Sequence, residues 1–321
     1  MSQQHQQQLH LVKSLTQQAL CRALRLTPVQ APLFLEGDSG MQDGLSGTER
    51  PVAFCPKEAP EREYQVVHSL AKWKRAALGQ LAFEAGQGLI TDMKAIRADE
   101  ASTGPLHSLL VEQWDWEQVI HQDERSLAGL RARVEAIYGA FREVDLELSD
   151  RLGHEPRLPQ HIHFVCSEAL RRRYPGLSAK AREDAICREL GAVFLIGIGG
   201  ELGDGRPHDD RAPDYDDWSS HTELGGGLNG DILIWHPPLG RALELSSMGI
   251  RVDAEAMARQ FGEAGVPASP WHRALMAGAL PQTVGGGIGQ GRLAMALLGL
   301  EHIEQTQAPR IALAAGLEAV A

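Results

Sequence analysis

Pro281-Gln282-Thr283-Val284-Gly285-Gly286-Gly287-Ile288-Gly289-Gln290-Gly291-Arg292 is the stretch on which the fold turns. Four of the five residues 285–289 are glycine, an arginine closes the run, and an apolar helix follows at once. Glycine lets backbone approach a ligand closely and adopt positive φ. A helix N-terminus behind such a run favours negative charge by only ~0.3–1 kcal/mol, too little to hold a nucleotide. Arg292 adds a planar cation that can stack on a base or pair with phosphate. The run is no Walker A loop, because no Gly-Lys-Ser/Thr ends it, and no dinucleotide fingerprint, because no βαβ unit follows. A tight turn with a surface arginine is the plain alternative.

Working outward, the chain alternates short strands with helices. Residues 9–25 read as a helix with Val12, Leu15, Ala19 and Ala23 on one face, stopped at Thr27-Pro28. Residues 33–50, with four glycines, read as a functional loop, and 51–58 and 64–69 as short strands. Residues 92–118 read as strand, turn and strand. Leu127, Leu130, Val134, Ile137, Phe141, Val144 and Leu148 step by three and four, which predicts a buried helical stripe over 124–150. Strands are expected at 161–165, 192–198, 231–235 and 242–246, and helices from Ser178 to Leu190, at 253–263, 268–277 and 290–299. Strands joined partly by helices and partly by short connections predict an α+β fold, a mostly antiparallel β-sheet flanked by helices. The expected division is a frayed stretch 1–8, a single catalytic domain 9–305 and a tail 306–321.

Several polar constellations stand out. Arg211 precedes Asp214-Tyr215-Asp216-Asp217-Trp218, a cluster suited to binding an ammonium group or taking a proton. Glu244 and Ser247 offer hard oxygens of the kind Mg²⁺ prefers, with Asp231 a third one strand earlier; Ser247 reaches that face only if strand alternation breaks, which Gly249 permits. His68-Ser69-Leu70-Ala71-Lys72-Trp73-Lys74-Arg75 gathers three cations and reads as a site for an anionic small ligand. Gln113, Asp115 and Glu117 share one face of a strand, with Trp114 and Trp116 on the other, and line a polar pocket beside Arg97. His161 with His163, and His208 with its two aspartates, lack further ligands at zinc-site spacing.

Net charge is −11 over 321 residues, which argues against sequence-independent nucleic-acid binding. Cys21, Cys55, Cys166 and Cys187 are scattered without a CxxC pair, no signal peptide opens the chain, and no apolar run reaches membrane-spanning length. These totals predict a cytoplasmic protein that engages neither nucleic acid nor membrane.

Taken together the segments resemble the ammonia-dependent, A-type asparagine synthetases (aspartate–ammonia ligases), and the glycine corner resembles the third motif of class II aminoacyl-tRNA synthetases. The resemblance rests on Gln42–Gly47, Val67–Arg75, Glu112–Glu117, Val193–Gly200, Arg211–Trp218, Leu228–Asp231, Glu244–Asp253 and the glycine stretch, in family order. It implies a class II synthetase-like catalytic fold, a homodimer, and conversion of aspartate, ATP and ammonia to asparagine through a β-aspartyl-adenylate, with Mg²⁺ as cofactor. It places Arg97 at the α-phosphate, Arg292 against adenine, and Leu106, His107 and Ser108 beside the base, with Gly287 and Gly289 at the nucleotide. It assigns Mg²⁺ to Glu244, Ser247 and Asp231, and aspartate to Ser69, Lys74, Gln113, Asp115, Arg211 and Ser247. Asp43 and Asp216 are left to hold the substrate α-ammonium or to receive ammonium and strip its proton. Ser2 in place of a nucleophilic cysteine, and the lack of a second domain, point to free ammonia as nitrogen donor. The chain departs from the family in carrying Gly44 where Asn is usual, Gly291 where Ser is usual, and a shorter, glycine-rich loop over 219–227 that reads as a lid. The competing expectations are a tRNA-acting class II paralogue and a non-catalytic aspartate or asparagine sensor.

Overall fold

The computed structural model describes residues 2–45, 49–99 and 104–308. In chain order α1 (Gln3–Leu24) leads into β1 (Leu26–Pro28), then β2 (Phe34–Glu36), β3 (Ala53–Phe54), β4 (Tyr64–Val66) and α2 (Ala71–Gln80). The long hairpin of β5 (Gly88–Ile96) and β6 (Leu110–Val119) precedes α3 (Leu127–Leu152), β7 (His163–Cys166), α4 (Ser167–Arg173), α5 (Ala179–Leu190) and β8 (Ala192–Ile196). The short β9 (His221–Thr222) and β10 (Gly225–Gly226) come before a second hairpin, β11 (Asn229–His236) with β12 (Arg241–Ile250). The chain continues through α6 (Ala254–Phe261), α7 (Pro270–Met276), β13 (Thr283–Gly289) and α8 (Gln290–Leu298).

Eight strands form one sheet in the order β1-β5-β6-β13-β12-β11-β8-β7. Its six inner strands pair antiparallel, and a parallel pair, β1 with β5 and β7 with β8, finishes each edge. The expected α+β class holds. Pro28 lies in edge strand β1, where a missing N–H costs no ladder bond. β8 is apolar throughout because both faces are covered. Ala192, Phe194 and Ile196 enter the main core with α1, α3 and α8, while Val193 and Leu195 meet α4 and α5 on the other side. The seven-residue stripe of α3 is buried as its spacing predicts. Ser126 caps the start of α3 by accepting from Gly129 N at 3.1 Å, and Gly153 ends it in the left-handed conformation.

Some elements differ from the sequence reading. α1 starts at Gln3, not residue 9, because the Ser2 hydroxyl accepts from His5 N at 3.2 Å and caps it. β2 falls inside the stretch read as loop, and α4 follows β7 directly. The glycine run is a strand, not a loop. β13 pairs with β12 and β6, and none of its residues has positive φ. Its glycines serve a different purpose. A Cβ on Gly285 would stand 2.1 Å from Glu117 Oε2, and one on Gly287 2.5 Å from Gln113 Oε1. The missing side chains make room for the polar residues of β6. Ile303–Thr306, at the edge of the expected tail, is one 3-10 turn packed on the body, and 309–321 lie outside the described residues.

Candidate active site

One face of the sheet carries α1, α3 and α8; the other opens into a cavity of about 420 Å³. Period-two alternation delivers Gln113 and Asp115 to that face, while Trp114 and Trp116 are buried on the other. β12 reaches it by a bulge. Ile232 pairs with Ser246 and Leu233 with Glu244, so Leu245 is an extra residue that resets the alternation. Glu244 and Ser247 therefore share the face, as a metal pair requires. The break lies at Leu245 and not at Gly249. Gly249 has its own role, since a Cβ there would come 2.9 Å from Asp216 Oδ1.

Most of the predicted residues meet in this one cavity. Ser69, Arg97, Leu106, His107, Gln113, Asp115, Arg211, Asp216, Glu244, Ser247, Gly287, Gly289 and Arg292 all line it. Arg292 packs against two other lining residues, with Nη1 3.4 Å from Glu244 Oε2 and Nε donating to Leu106 O at 3.4 Å.

Three predicted residues stand behind the wall. Lys74 is fully buried, and its three N–H groups are spent on Asp115, on Trp116 O at 2.9 Å and on Gly286 O at 3.3 Å. It holds Asp115 in place and has no donor left for aspartate. Asp43 is also buried, with Oδ2 accepting from Ser69 Oγ at 2.6 Å and from Ala71 N at 2.8 Å. Together with Asp115, which accepts from Leu70 N at 3.1 Å, it caps α2. Asp231 sits behind Arg211, which donates to it at 2.7 and 3.0 Å. The cations read as an anion site serve the interior instead. Lys72 pairs with Asp214 at 2.6 Å, and Arg75 donates to Pro281 O and Val252 O.

Electrostatics separates the carboxylates. Burial pushes Asp216 above its ordinary value, against the pull of Arg251 and Arg211. Burial also raises Asp43, opposed by Lys72 and by the Ser69 hydrogen bond. Burial moves Asp231 up to about 6, with Arg211 pulling the other way and Glu244 adding to the rise. Glu244 moves oppositely. Burial works against its charge, but Arg292, Lys180, Arg211 and Arg97 outweigh it and hold the carboxyl at about 2. Glu244 thus stays ionised among four cations and, with Ser247, presents hard oxygens to the cavity. Among the described residues no three His, Cys, Asp or Glu side chains converge as a metal group. Mg²⁺ fits here only as an ion that keeps water and phosphate oxygens as its other ligands.

Sequence reasoning missed Arg251, Lys180 and Gln307 at the cavity. Arg251 joins Glu117 at 2.8 Å and also bonds Asp216, so a buried ion network fixes the Asp216 carboxylate. Arg251 lay within a quoted motif, but only register shows that it meets Glu117. Lys180 had a signal in its place two residues after the Ser178 cap. Gln307 had none. The Asp214–Asp217 cluster is divided three ways: Asp214 to Lys72 and His272, Asp216 to Arg251, and Asp217 to Arg125 and the backbone of Ser219 and Ser220. That last set pins the loop expected to be a lid, and none of 219–227 lines the cavity.

Solved structures share the fold. Asparaginyl-tRNA synthetase from Entamoeba histolytica, in complex with asparaginyl-adenylate, superimposes with a TM-score of 0.68 at 16% identity over 95% of this chain and 67% of that one. The Pyrococcus horikoshii asparaginyl-tRNA synthetase, complexed with asparaginyl-adenylate, gives 0.59 at 15% over 94% and 68%, and the aspartyl-tRNA synthetase from Entamoeba histolytica 0.64 at 14% over 94% and 57%. The class II synthetase catalytic fold is therefore present. At the level of sequence, a family profile described as aspartate-ammonia ligase matches residues 3–312. The chain belongs to the aspartate–ammonia ligase family.

Proposed function

We propose that this cavity makes β-aspartyl-adenylate from aspartate and ATP and passes the acyl group to free ammonia, yielding asparagine, AMP and pyrophosphate. The observation that carries this reading is the convergence of Arg97, Gln113, Glu244 and Arg292 on a single cavity. A carboxylate is a poor acyl donor. Its β-oxygen attacks the α-phosphorus of ATP, the bond to pyrophosphate breaks, and the carbonyl gains AMP as a leaving group. Arg97 neutralises charge on the α-phosphate, and Arg292 lies against the base. Glu244 and Ser247 would hold Mg²⁺, which would supply Lewis-acid stabilisation of the charge that builds on the phosphates. Ser69, Gln113, Asp115 and Arg211 grip aspartate, with Lys74 and Asp43 setting Asp115 and Ser69 from behind.

Ammonia then attacks the acyl carbon, and AMP departs with one former carboxylate oxygen. The nucleophile must lose protons. Asp216 faces the cavity with raised proton affinity and receives one; Asp43, screened by Ser69, acts through that hydroxyl. No covalent enzyme intermediate is needed, because positioning alone supplies roughly 7–11 kcal/mol. The enzyme works as a homodimer, as the family resemblance implies, and in the cytoplasm, as its scattered cysteines imply. The test is formation of asparagine and AMP that requires aspartate, ATP, Mg²⁺ and ammonium together. AMP release that ignores ammonium would refute the reading. Transfer of labelled aspartate to tRNA would favour a tRNA-acting paralogue, and ligand-induced thermal stabilisation without AMP release a sensor.

A further inference from the structure

The cavity wall beside Arg292 is completed by a stretch outside the motifs quoted above, a little beyond the glycine run. Ile303–Thr306 forms a single 3-10 turn, and Ile303, Thr306 and Gln307 line the cavity. Ile303 and Thr306 are buried. Three hydrogen bonds tie this stretch to the lip formed just before and within β6. Ile303 N donates to Pro105 O at 2.8 Å, Ser108 Oγ donates to Gln307 Oε1 at 3.0 Å, and Gln307 Nε2 donates to Leu110 O at 3.0 Å. The same lip holds Arg292 through Leu106 O.

Gly291 seats this wall. A Cβ there would stand 2.6 Å from Ile303 Cδ1 and 2.7 Å from Thr306 Oγ1, closer than real side chains approach. Serine, usual at this place in the family, would collide with the turn as it lies. The departure at 291 and the position of the turn thus explain each other.

The Gln307 amide has one workable orientation. Leu110 O is an acceptor only, so it must face Nε2; Oε1 then accepts from Ser108 and keeps a second lone pair. We propose that Ile303–Gln307 is the base-reading wall of the ATP site, with Gln307 Oε1 accepting from the exocyclic amine of adenine and Gly291 providing the gap in which the wall sits. This rests on the adenylation reading above. A 6-oxo purine sets an oxygen where the amine would be, so two acceptors meet and one hydrogen bond is lost.

The experiment is aspartate-driven pyrophosphate exchange into ATP and into ITP, with the full chain and with Gln307→Leu. The unaltered enzyme is expected to prefer ATP by at least about tenfold in kcat/KM, and Q307L to narrow that preference by about tenfold with the KM for aspartate unchanged. Gly291→Ser is expected to raise the KM for ATP several-fold and to leave that for aspartate alone. An ATP-to-ITP ratio unaltered in Q307L, with exchange intact, would overturn the base-reading assignment by itself. Absence of exchange in the unaltered enzyme would overturn the adenylation reading and this inference with it. The Gln307 comparison stands even if Gly291→Ser folds poorly.

Discussion

Asp216 and Asp43 carry the same chemical group and are raised by the same cause, burial, yet only Asp216 meets the cavity. That difference separates two roles the sequence leaves open. Asp216→Asn should keep aspartate-driven exchange and lose asparagine formation, because adenylation needs no base while ammonium must give up a proton. An asparagine yield equal to that of the unaltered enzyme would remove Asp216 from the mechanism. Arg97→Ala should reduce exchange by roughly 10²–10³-fold, the usual cost of removing one charge-stabilising donor; undiminished pyrophosphate release would dispose of its assignment. At this scale the polar face of β6 was legible, because alternation alone places Gln113, Asp115 and Glu117 together. Lys74 was not. A lysine in sequence does not say whether its partner is a ligand or an aspartate such as Asp115, forty-one residues away.

The elements show why a correct motif can be misread in its physics. In sequence the glycines of β13 read as a loop that lets backbone approach a ligand; they form a strand whose missing side chains admit Gln113 and Glu117. Gly287→Ala should therefore act on the amino-acid site. The added methyl lies 2.5 Å from Gln113 Oε1, and displacing that amide should raise the KM for aspartate by about tenfold, the worth of one hydrogen bond. Steady-state kinetics with each substrate varied would decide; a rise confined to the KM for ATP would show that the glycine serves the nucleotide instead. The strands themselves were legible from apolar alternation and turn residues. The bulge was not, because Leu245 looks like any other strand leucine and becomes an extra residue only against β11. The 3-10 turn at Ile303 was hidden for a related reason: its partners Gly291 and Pro105 lie elsewhere in the chain.

Across the whole molecule, the sheet and the site are held by one buried ion network. Glu117 accepts from Arg251 and from Thr283, with Lys74 at 3.7 Å, and Arg251 continues to Asp216. Burial opposes the charge on Glu117, but Arg251 and Lys74 outweigh it and keep its carboxyl below the ordinary 4.5. A depressed carboxyl stabilises the fold above its unfolded value, and that contribution fades as pH falls through the folded one. Glu117→Gln should lower stability at pH 7 by roughly 3–5 kcal/mol, since the buried Arg251 and Lys74 each lose a carboxylate partner, and should flatten the loss of stability below about pH 4.5. Denaturant melts across that range check both; a variant with the unaltered acid dependence would place the acid sensitivity elsewhere. The fold class was legible at this scale because hairpin connections and helical stripes are local signals, whereas the network is a product of register. The central claim, that one cavity joins a nucleotide to a side-chain carboxylate, is tested most directly with aspartate carrying ¹⁸O in its β-carboxylate. The account predicts AMP bearing one ¹⁸O in its phosphate for each asparagine made. AMP free of label beside newly formed asparagine would contradict it.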